Sequence, residues 1–441
     1  MNFSSGALDV LKILNDNGYE AYIVGGAVRD ALMGVPCHDT DIATNAKTAD
    51  IMRVFSSFKV IPTGEKHGTM TVKKDGVSYE ITTYRTDGEY GDCRHPKDVS
   101  FVSSIYDDLK RRDFTVNAMA YSKSSGIIDL FGGQEDIRTK TIRAVGDPLK
   151  RFDEDGLRIL RAVRFASKLG FSIEEKTLAA MHEKYANIYK LSAERVFSET
   201  TEILSGAHSD LALIKYSYFI FCAVPEIQLE YKFDQMNRSH AYDVYEHTVK
   251  TVKLCEERIP VVLWALLFHD AGKPFTAVLG RDGQRHFPDH WLVSCDIAKK
   301  ALTRLKASNA FIDEVFCLVK NHDDLWLGGK PHIKRLLRDH GRTYIEHLFV
   351  VKKADLYAHS EFGINRFEHF YYNSLRQYRE IIDNDECYSL SALKISGEDV
   401  KSLGYDGKKV GETLNKALDA VIDEKIPNEK TALLNFIKEN G

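Results

Sequence analysis

The sequence predicts an α+β protein, with a mixed α/β head followed by an elongated, all-helical body. Three observations carry that expectation. Helix and strand patterns alternate through the first third of the chain; a tight-turn dipeptide, Asp75-Gly76, separates two strand-like runs there; and strand signals nearly vanish after about Pro148. At 441 residues the chain exceeds what one ordinary core holds, so two to four domains are expected.

The elements follow in order. Leu8 to Asn17 read as a short amphipathic helix and EAYIV (20–24) as a buried strand. Gly25-Gly26 then turns into a helix, AVRDALM. TMTVKK and VSYEITTYR flank Asp75-Gly76, which favours a two-residue hairpin turn. From Pro148 onward helical periodicity dominates to the C-terminus. Together with the motifs below, this gives a head over 1–147, a helical neck over 148–230, a histidine-rich region over 231–365 and a helical tail over 366–441.

Composition narrows the class. Hydrophobic residues make up 44% and charged residues 28%, an ordinary soluble balance. The net charge of −4 gives no global signal for nucleic acid, whose binding needs only a local basic face. Seven scattered cysteines (Cys37, Cys93, Cys222, Cys255, Cys295, Cys317, Cys387) without CxxC spacing read as reduced thiols, not a disulfide scaffold or zinc ribbon. Residues 1–20 lack a signal-peptide pattern, and no stretch approaches the ~18 apolar residues of a membrane span. A cytoplasmic location is therefore expected, with no membrane and no obligatory protein partner.

The chemistry concentrates in IVGGAVRDALMGVPCHDTDIATNA, residues 23–46. Gly25-Gly26, between a strand and a helix, lets bare backbone amides approach a phosphate, and Arg29 follows close enough to hold the same group. Such a turn alone is usually only a turn. Asp39 and Asp41 lie two apart on an extended segment, so both carboxylates point the same way. Carboxylates held together repel unless a cation lies between them, and two acids plus nucleotide phosphates suit Mg²⁺. Glu80, on the strand face opposite Val77, Tyr79 and Ile81, is the candidate third acid of a two-metal site. The plain alternative for an isolated DxD is a solvated loop.

GGAVRD followed by DTDIATNA, then RTDGEYGDCRHP (85–96), DLKRRDFTVNAMAY (108–121), DLFGG (129–133) and FDEDGLRILRAVRFASKLGF (152–171), resemble the class II tRNA nucleotidyltransferase and bacterial poly(A) polymerase family. The resemblance covers the first 200 residues in the family's order. It implies a polymerase-beta-like head with Asp39 and Asp41 as magnesium ligands and Glu80 as the third catalytic acid. Gly26, Arg29 and Arg112 would contact the triphosphate together with Gly25, and Arg111 is the neighbouring alternative to Arg112. Asp113 and Asn117 read equally well as structural braces. The segment 85–102 resembles the family's flexible loop for switching from C to A; an ordinary surface loop is the alternative.

Glu154 to Arg158 open a helix expected to run to about Leu169, with Ile159, Leu160, Val163 and Ala166 facing inward. Arg158, Arg161 and Arg164 fall on another arc, and the simple expectation is a solvated face with a surface Asp155–Arg158 ion pair. A carboxylate only accepts hydrogen bonds and a guanidinium only donates. Cytosine and adenine both offer an amine donor beside a ring-nitrogen acceptor, whereas uracil and guanine offer the reverse. By the resemblance, Asp155 and Arg158 read the base, and Arg161 and Arg164 serve the nucleotide or the RNA end.

His247, His269-Asp270 and Asp355 follow the H…HD…D order of HD-domain metal hydrolases, which this segment resembles. Two imidazoles and two carboxylates suit a divalent metal of either transition or alkaline-earth type. His286, His290 and His322 are further candidates, while His240, His332, His340 and His347 read as structural. A vestigial domain kept as a scaffold is the competing view. Near the end, Gly404, Gly407 and Gly411 with Lys408 and Lys409 form a Gly-Lys turn entering a helix, suited to RNA phosphate or to simple capping. The implied function is template-independent addition of CCA, from CTP and ATP, to the 3′ end of tRNA. A poly(A) polymerase or A-only enzyme, and an HD metal phosphohydrolase with a non-catalytic RNA-binding head, are the alternatives.

Overall fold

The computed structural model describes residues 3–37, 40–65, 68–87, 99–102, 104–324 and 329–440. The chain forms two compact units, Met1–Pro225 and Glu226–Gly441. The first is the mixed α/β part with helices after it, and the second, among the described residues, is helical apart from one two-stranded ribbon.

The first unit opens with α1 (Ser5–Asp16), β1 (Ala21–Val24), α2 (Gly26–Leu32), β2 (Asp41–Thr44) and α3 (Thr48–Val54). Next come β3 (Lys59–Gly64), β4 (Thr69–Lys74), β5 (Val77–Thr83) and a small ribbon, β6 (Arg85–Asp87) with β7 (Val99–Phe101). Then follow α4 (Ile105–Lys110), β8 (Met119–Ser122), β9 (Gly126–Asp129), α5 (Gly133–Arg138) and β10 (Thr141–Ile142). Seven strands join in the order β3-β4-β5-β2-β1-β8-β9. All these pairings are antiparallel except β2 with β5.

Strand alternation sorts the residues between the two faces. Ala21, Ile23, Ile42, Tyr79 and Ile81 enter the main core with Val10, Leu11 and Leu14 of α1. Val24, Ala43 and Ala120 pack on the other face with Tyr84 and Leu109. Asp41 and Glu80 share this second face, because each is one residue out of phase with its core-facing neighbour. The hairpin forms as expected: Asp75 and Gly76 both have positive φ, 52° and 79°, the geometry a two-residue turn of matching twist requires.

The helical remainder of this unit holds α6 (Pro148–Glu154), α7 (Leu157–Leu169), the short β11 (Ser172–Ile173), α8 (Glu175–Lys184), α9 (Ala193–Ser205), α10 (Ser209–Lys215) and α11 (Ser217–Ala223). The expected single helix from Glu154 to Leu169 is corrected to two. Glu154 closes α6, Asp155 is extended (φ −143°, ψ 106°), and Gly156 starts α7. Gly156 sits so close to Asn187 that a Cβ would lie 2.9 Å from its carbonyl oxygen, which keeps a small residue at the break.

The second unit contains α12 (Val244–Leu254), α13 (Pro260–Phe268), α14 (Lys273–Thr276), the ribbon β12 (Val278–Leu279) with β13 (Arg285–His286), α15 (His290–Arg304) and α16 (Asn309–Asn321). It continues through α17 (Gly329–His340), α18 (Arg342–Ala358), α19 (Glu361–Asp383), α20 (Gly397–Lys401), α21 (Lys408–Ile422) and α22 (Lys430–Asn440). Helix α13, apolar all round, is buried from Val261 to Phe268 and packs against α12, α16 and α18. Leu393, Val400, Leu418, Ile422, Leu433 and Ile437 form a separate core near the C-terminus. No described helix is long and apolar enough to cross a membrane.

Candidate functional site

A cleft of about 590 Å³ opens on the second face of the sheet. The parallel β2–β5 register sets Asp41 directly opposite Glu80, so their exposed carboxylates leave the same face side by side. Val24 is the partner of Asp41 on β1, and the chain turns at Gly25 immediately after it. Gly25 has φ 71° and ψ −135°, where a side chain is strained, and a Cβ there would stand 2.9 Å from Arg112 Nη1. The turn thus brings bare backbone beside Asp41 and a guanidinium. Asp39, the other expected metal ligand, lies outside the described residues, as do residues 88–98 of the expected flexible loop.

Of the expected nucleotide-site residues, Gly25, Gly26, Arg29, Arg111, Arg112, Asp155, Arg158 and Arg161 line this cleft with Asp41 and Glu80. Arg164 does not; its Nε lies 2.9 Å from Glu199 Oε2. Among the described lining residues, seven guanidinium groups stand against four carboxylates, an excess of positive charge suited to a triphosphate.

Buried partners fix these arginines. Asp108, 1% exposed, pairs through Oδ1 with Arg111 (2.7 Å) and through Oδ2 with Arg112 (3.1 Å). Burial pushes its carboxyl up, but the two guanidiniums outweigh that and hold it below the ordinary range. Arg29, 3% exposed, donates from Nη1 to Asn117 Oδ1 at 2.7 Å and from Nε to Asp30 at 2.8 Å. Asp113 accepts from Arg161 Nε at 2.9 Å; burial opposes its charge, yet Arg161 brings the carboxyl down to about 2. The Phe165 ring lies beneath Arg29, Arg161 and Arg164, at 5.5, 5.5 and 4.8 Å from its centroid.

Asp155 and Arg158 both reach the cleft, but the expected ion pair between them is corrected. Asp155 accepts from Leu157 N through Oδ1 (3.0 Å) and from Arg195 Nη2 through Oδ2 (2.8 Å). Arg158 donates to Glu154 Oε2 (2.6 Å) and to the carbonyls of Arg151 (3.1 Å) and Arg111 (3.0 Å). The helix break separates the two side chains and gives each its own counter-charge. Arg195 lies forty residues from Asp155, and no local pattern in the sequence pointed to it.

The second unit gathers the histidine-rich set. His247, His269 and Asp355 form one group of possible metal ligands, and Asp270, His290 and His322 another, each with ligand atoms within 4.8 Å of one another. Asp270 turns Oδ2 toward His269 (3.3 Å) and Oδ1 toward His290 (3.4 Å). Among the described residues, His269 Nε2 and Asp270 Oδ2 are buried without an aligned hydrogen bond, although Lys273 Nζ stands 2.7 Å from the latter. Such orphaned atoms fit a cation site. Burial disfavours the His269 cation, but Asp270 and Asp355 overcome it and raise its pKa to about 9.

His286 is elsewhere, paired with Asp282 on an exposed ribbon. His240, read from sequence as structural, packs its ring 5.2 Å from that of His247. His332 and His347 pair with Asp324 and Glu314, and His340 stacks on Tyr344. Lys408 and Lys409 are exposed at the start of α21, where Gly407 takes φ 57°.

Known proteins resemble this chain along its length. Family models match the poly A polymerase head domain at residues 21–143, the RNA- and SrmB-binding site of polymerase A at 170–216, and tRNA nucleotidyltransferase domain 2 at 290–437. The CCA-adding enzyme of Enterococcus faecalis is 32% identical over 440 residues, 98% of this chain and 95% of that one. The CCA-adding enzyme of Oceanobacillus iheyensis is 51% identical over 207 residues, 47% of this chain and about half (51%) of its own length. The crystal structure of the Bacillus stearothermophilus CCA-adding enzyme in complex with CTP superposes with a TM-score of 0.71 at 30% identity, covering 98% of this chain and 96% of that one.

Proposed function

Since this chain belongs to the CCA-adding enzymes, which are tRNA nucleotidyltransferases, we propose that its cleft adds CCA to the 3′ end of tRNA from CTP and ATP by two-metal phosphoryl transfer. The observation that carries the reading is the Asp41–Glu80 register beside the Gly25 turn, inside a cleft rich in guanidinium. The CTP bound by the Bacillus relative supports the choice of donor.

Asp41 and Glu80, with Asp39, would hold magnesium, which neutralises phosphate charge and makes the 3′-hydroxyl a better nucleophile. The chain's own groups do the positioning. Gly25 and Gly26 let the phosphates approach backbone amides, while Arg29, Arg111 and Arg112 hold the triphosphate. Asp155 accepts from the exocyclic amine of cytosine or adenine, and Arg158 supplies donor capacity on the same wall. Uracil and guanine would set acceptor against acceptor there, which costs about 1–3 kcal/mol for each buried mispaired group. Arg161, held by Asp113, serves the nucleotide end from the cleft wall, while Arg164, outside the cleft, braces this helix against Glu199. Exposed Lys408 and Lys409 grip RNA phosphate, and the chain works as head, neck, histidine-rich domain and tail.

The test is incubation with Mg²⁺ and tRNA lacking its terminal nucleotides, supplying each NTP singly and then CTP with ATP. Three additions followed by arrest are expected. A long A tail would instead assign a poly(A) or A-only enzyme, and no incorporation would retire the head to RNA binding.

A second reading belongs to the histidine cluster. We propose that His247, His269, Asp270 and Asp355 hold a divalent metal in an HD-type phosphohydrolase centre, with His290 and His322 adding donors. The metal would supply an activated water for phosphoester hydrolysis. Metal content of the purified chain, and phosphate release from phosphomonoester and 2′,3′-cyclic phosphate substrates, test it. A metal-free chain with no hydrolysis under any divalent ion would leave this domain a scaffold.

A further inference from the structure

Two helices of the second unit turn matching faces toward one cavity. Lys352, Asp355 and Leu356 of α18 line it, and so do Phe367, Phe370 and Tyr371 of α19. Each trio is spaced i, i+3, i+4, which puts its members on one face of a helix. The chain at the end of α16 supplies a third wall with His322, Asp323 and Asp324. Lys352 Nζ donates to the carbonyls of His322 (2.8 Å) and Asp324, and so ties this wall to α18.

The cavity has two chemically distinct ends. Asp355 comes from one group of candidate metal ligands and His322 from the other, so the polar end opens onto both. The opposite end is aromatic. Helix α19 spans 23 residues yet buries only Gly363, Ser374, Tyr378 and Ile381 of them, and its three cavity-lining rings are half-buried. Phe367 meets the His359 ring at 5.9 Å and Tyr371 meets Phe349 at 5.9 Å, while Phe370 packs beside its neighbour His369. Aromatic rings that border a cavity next to hydrolytic donors suit a flat, apolar-faced ligand with a polar head.

Size and charge narrow the ligand further. The cavity measures about 90 Å³ against about 590 Å³ for the cleft in the first unit, room for one flat ring system and not for a folded strand. Among the described lining residues, Asp323, Asp324 and Asp355 face a single ammonium, Lys352. The guanidinium-rich cleft has the opposite balance. Three carboxylates repel a triphosphate or an RNA backbone, whereas one phosphate is acceptable once Asp355 is engaged by a cation.

We propose that this cavity receives the base of a nucleoside monophosphate, whose phosphate reaches the histidine centre at the polar end. The proposal deepens the second reading above and rests on it for the hydrolytic step. That step adds water across the phosphoester P–O bond and releases inorganic phosphate and the nucleoside with its hydroxyl restored. The base stacks on Phe370, with Phe367 and Tyr371 completing the wall.

The test uses the full chain in EDTA with 2-aminopurine riboside, a base analogue whose fluorescence is quenched when it stacks on an aromatic ring. Saturable quenching is expected, reversed by AMP and CMP but not by ribose 5-phosphate. Phe370→Leu, which keeps apolar volume and removes the ring, should weaken binding by roughly tenfold or more. Its nucleotide addition should match the parent's, because Phe370 does not line the cleft. With a divalent ion restored, the same substitution should raise KM for AMP hydrolysis and leave that for ribose 5-phosphate unchanged; a merely structural loss would move both. Phe367→Leu is the second variant if Phe370→Leu lowers the melting temperature. Equal quenching in parent and variants, or none in any of them, would overturn the inference, as would ATP or an RNA 3′ end competing as well as AMP. Quenching kept without hydrolysis under any divalent ion would sink the hydrolase reading alone and leave the base site standing.

Discussion

At the scale of single residues, Asp113 illustrates how the cleft's charges are also its structure. Its carboxyl is buried, accepts from Arg161 and from Phe114 N, and titrates at about 2 instead of near 4. A depressed carboxyl contributes stability that is present in full above its unfolded pKa and is lost as pH falls toward the folded value. The contribution is on the order of 2 kcal/mol from that shift. Asp113→Asn should therefore lower unfolding stability at pH 7, and the difference from the parent should shrink steadily between about pH 4 and pH 2. Denaturant unfolding at a series of pH values measures it; an undiminished difference at pH 2 would assign the loss to packing. Asp113 was legible in the sequence only as a residue of two readings, because its partner is 48 positions away. Asp41 and Glu80 were easier, since strand alternation alone puts both on the polar face. Glu154 as the partner of Arg158, and Arg195 as the partner of Asp155, depend on how α6, α7 and α9 pack, which no window of local sequence encodes.

Among the elements, the β1–α2 turn is where backbone conformation shapes the cleft. Gly25 combines a positive φ with a ψ near −135°, a region essentially reserved for glycine, and a Cβ there would also press on Arg112 Nη1. Gly25→Ala is expected to cost about 1–3 kcal/mol in stability and to displace Arg112 from the triphosphate. KM for CTP and ATP should rise by roughly tenfold, with base preference unchanged, because the reading wall belongs to a different element. Steady-state kinetics with each nucleotide check this; an altered preference among bases would show that the turn and the reading wall are coupled. The sequence foretold the strand, the turn and α2 here, since glycine pairs punctuate plainly. It placed the start of α7 too early because the acidic Glu154 and Asp155 suit the first turn of a helix and hide the break at Asp155. Only the close packing of Gly156 on Asn187 reveals why the chain bends there. The histidine set was legible in kind, because an apolar run such as α13 ending in His-Asp is unusual. The nearness of His240 to His247 was not, since an isolated histidine carries no periodic signal.

Taken as a whole molecule, the chain carries two clusters of charge in two separately packed units, and they should answer to different variants. The sequence anticipated a mixed α/β start and a largely helical remainder, because strand periodicity fades after the sheet, whereas the two compact units divide at Pro225, well past the end of the sheet. Asp41→Ala should reduce nucleotide addition by on the order of a thousandfold while leaving any phosphoester hydrolysis intact. His247→Ala should do the opposite, and joint loss in either variant would mean that one centre has been misassigned. The protonation of His269 gives a further, independent handle. Its pKa of about 9 in the metal-free chain means that it carries a proton at neutral pH, held there by Asp270 and Asp355. A raised histidine stabilises the fold below its unfolded pKa, and that contribution disappears as pH climbs through about 9. A divalent ion binding through Nε2 must displace the same proton, so affinity should strengthen by up to about tenfold per pH unit between pH 7 and 9, then level off. Calorimetric titration of a divalent ion in two buffers of different ionisation enthalpy would count the released protons directly. Release of about one proton at pH 7, vanishing above pH 9, is the expected result; binding without proton release would place the ion on the carboxylates and leave His269 protonated beside it.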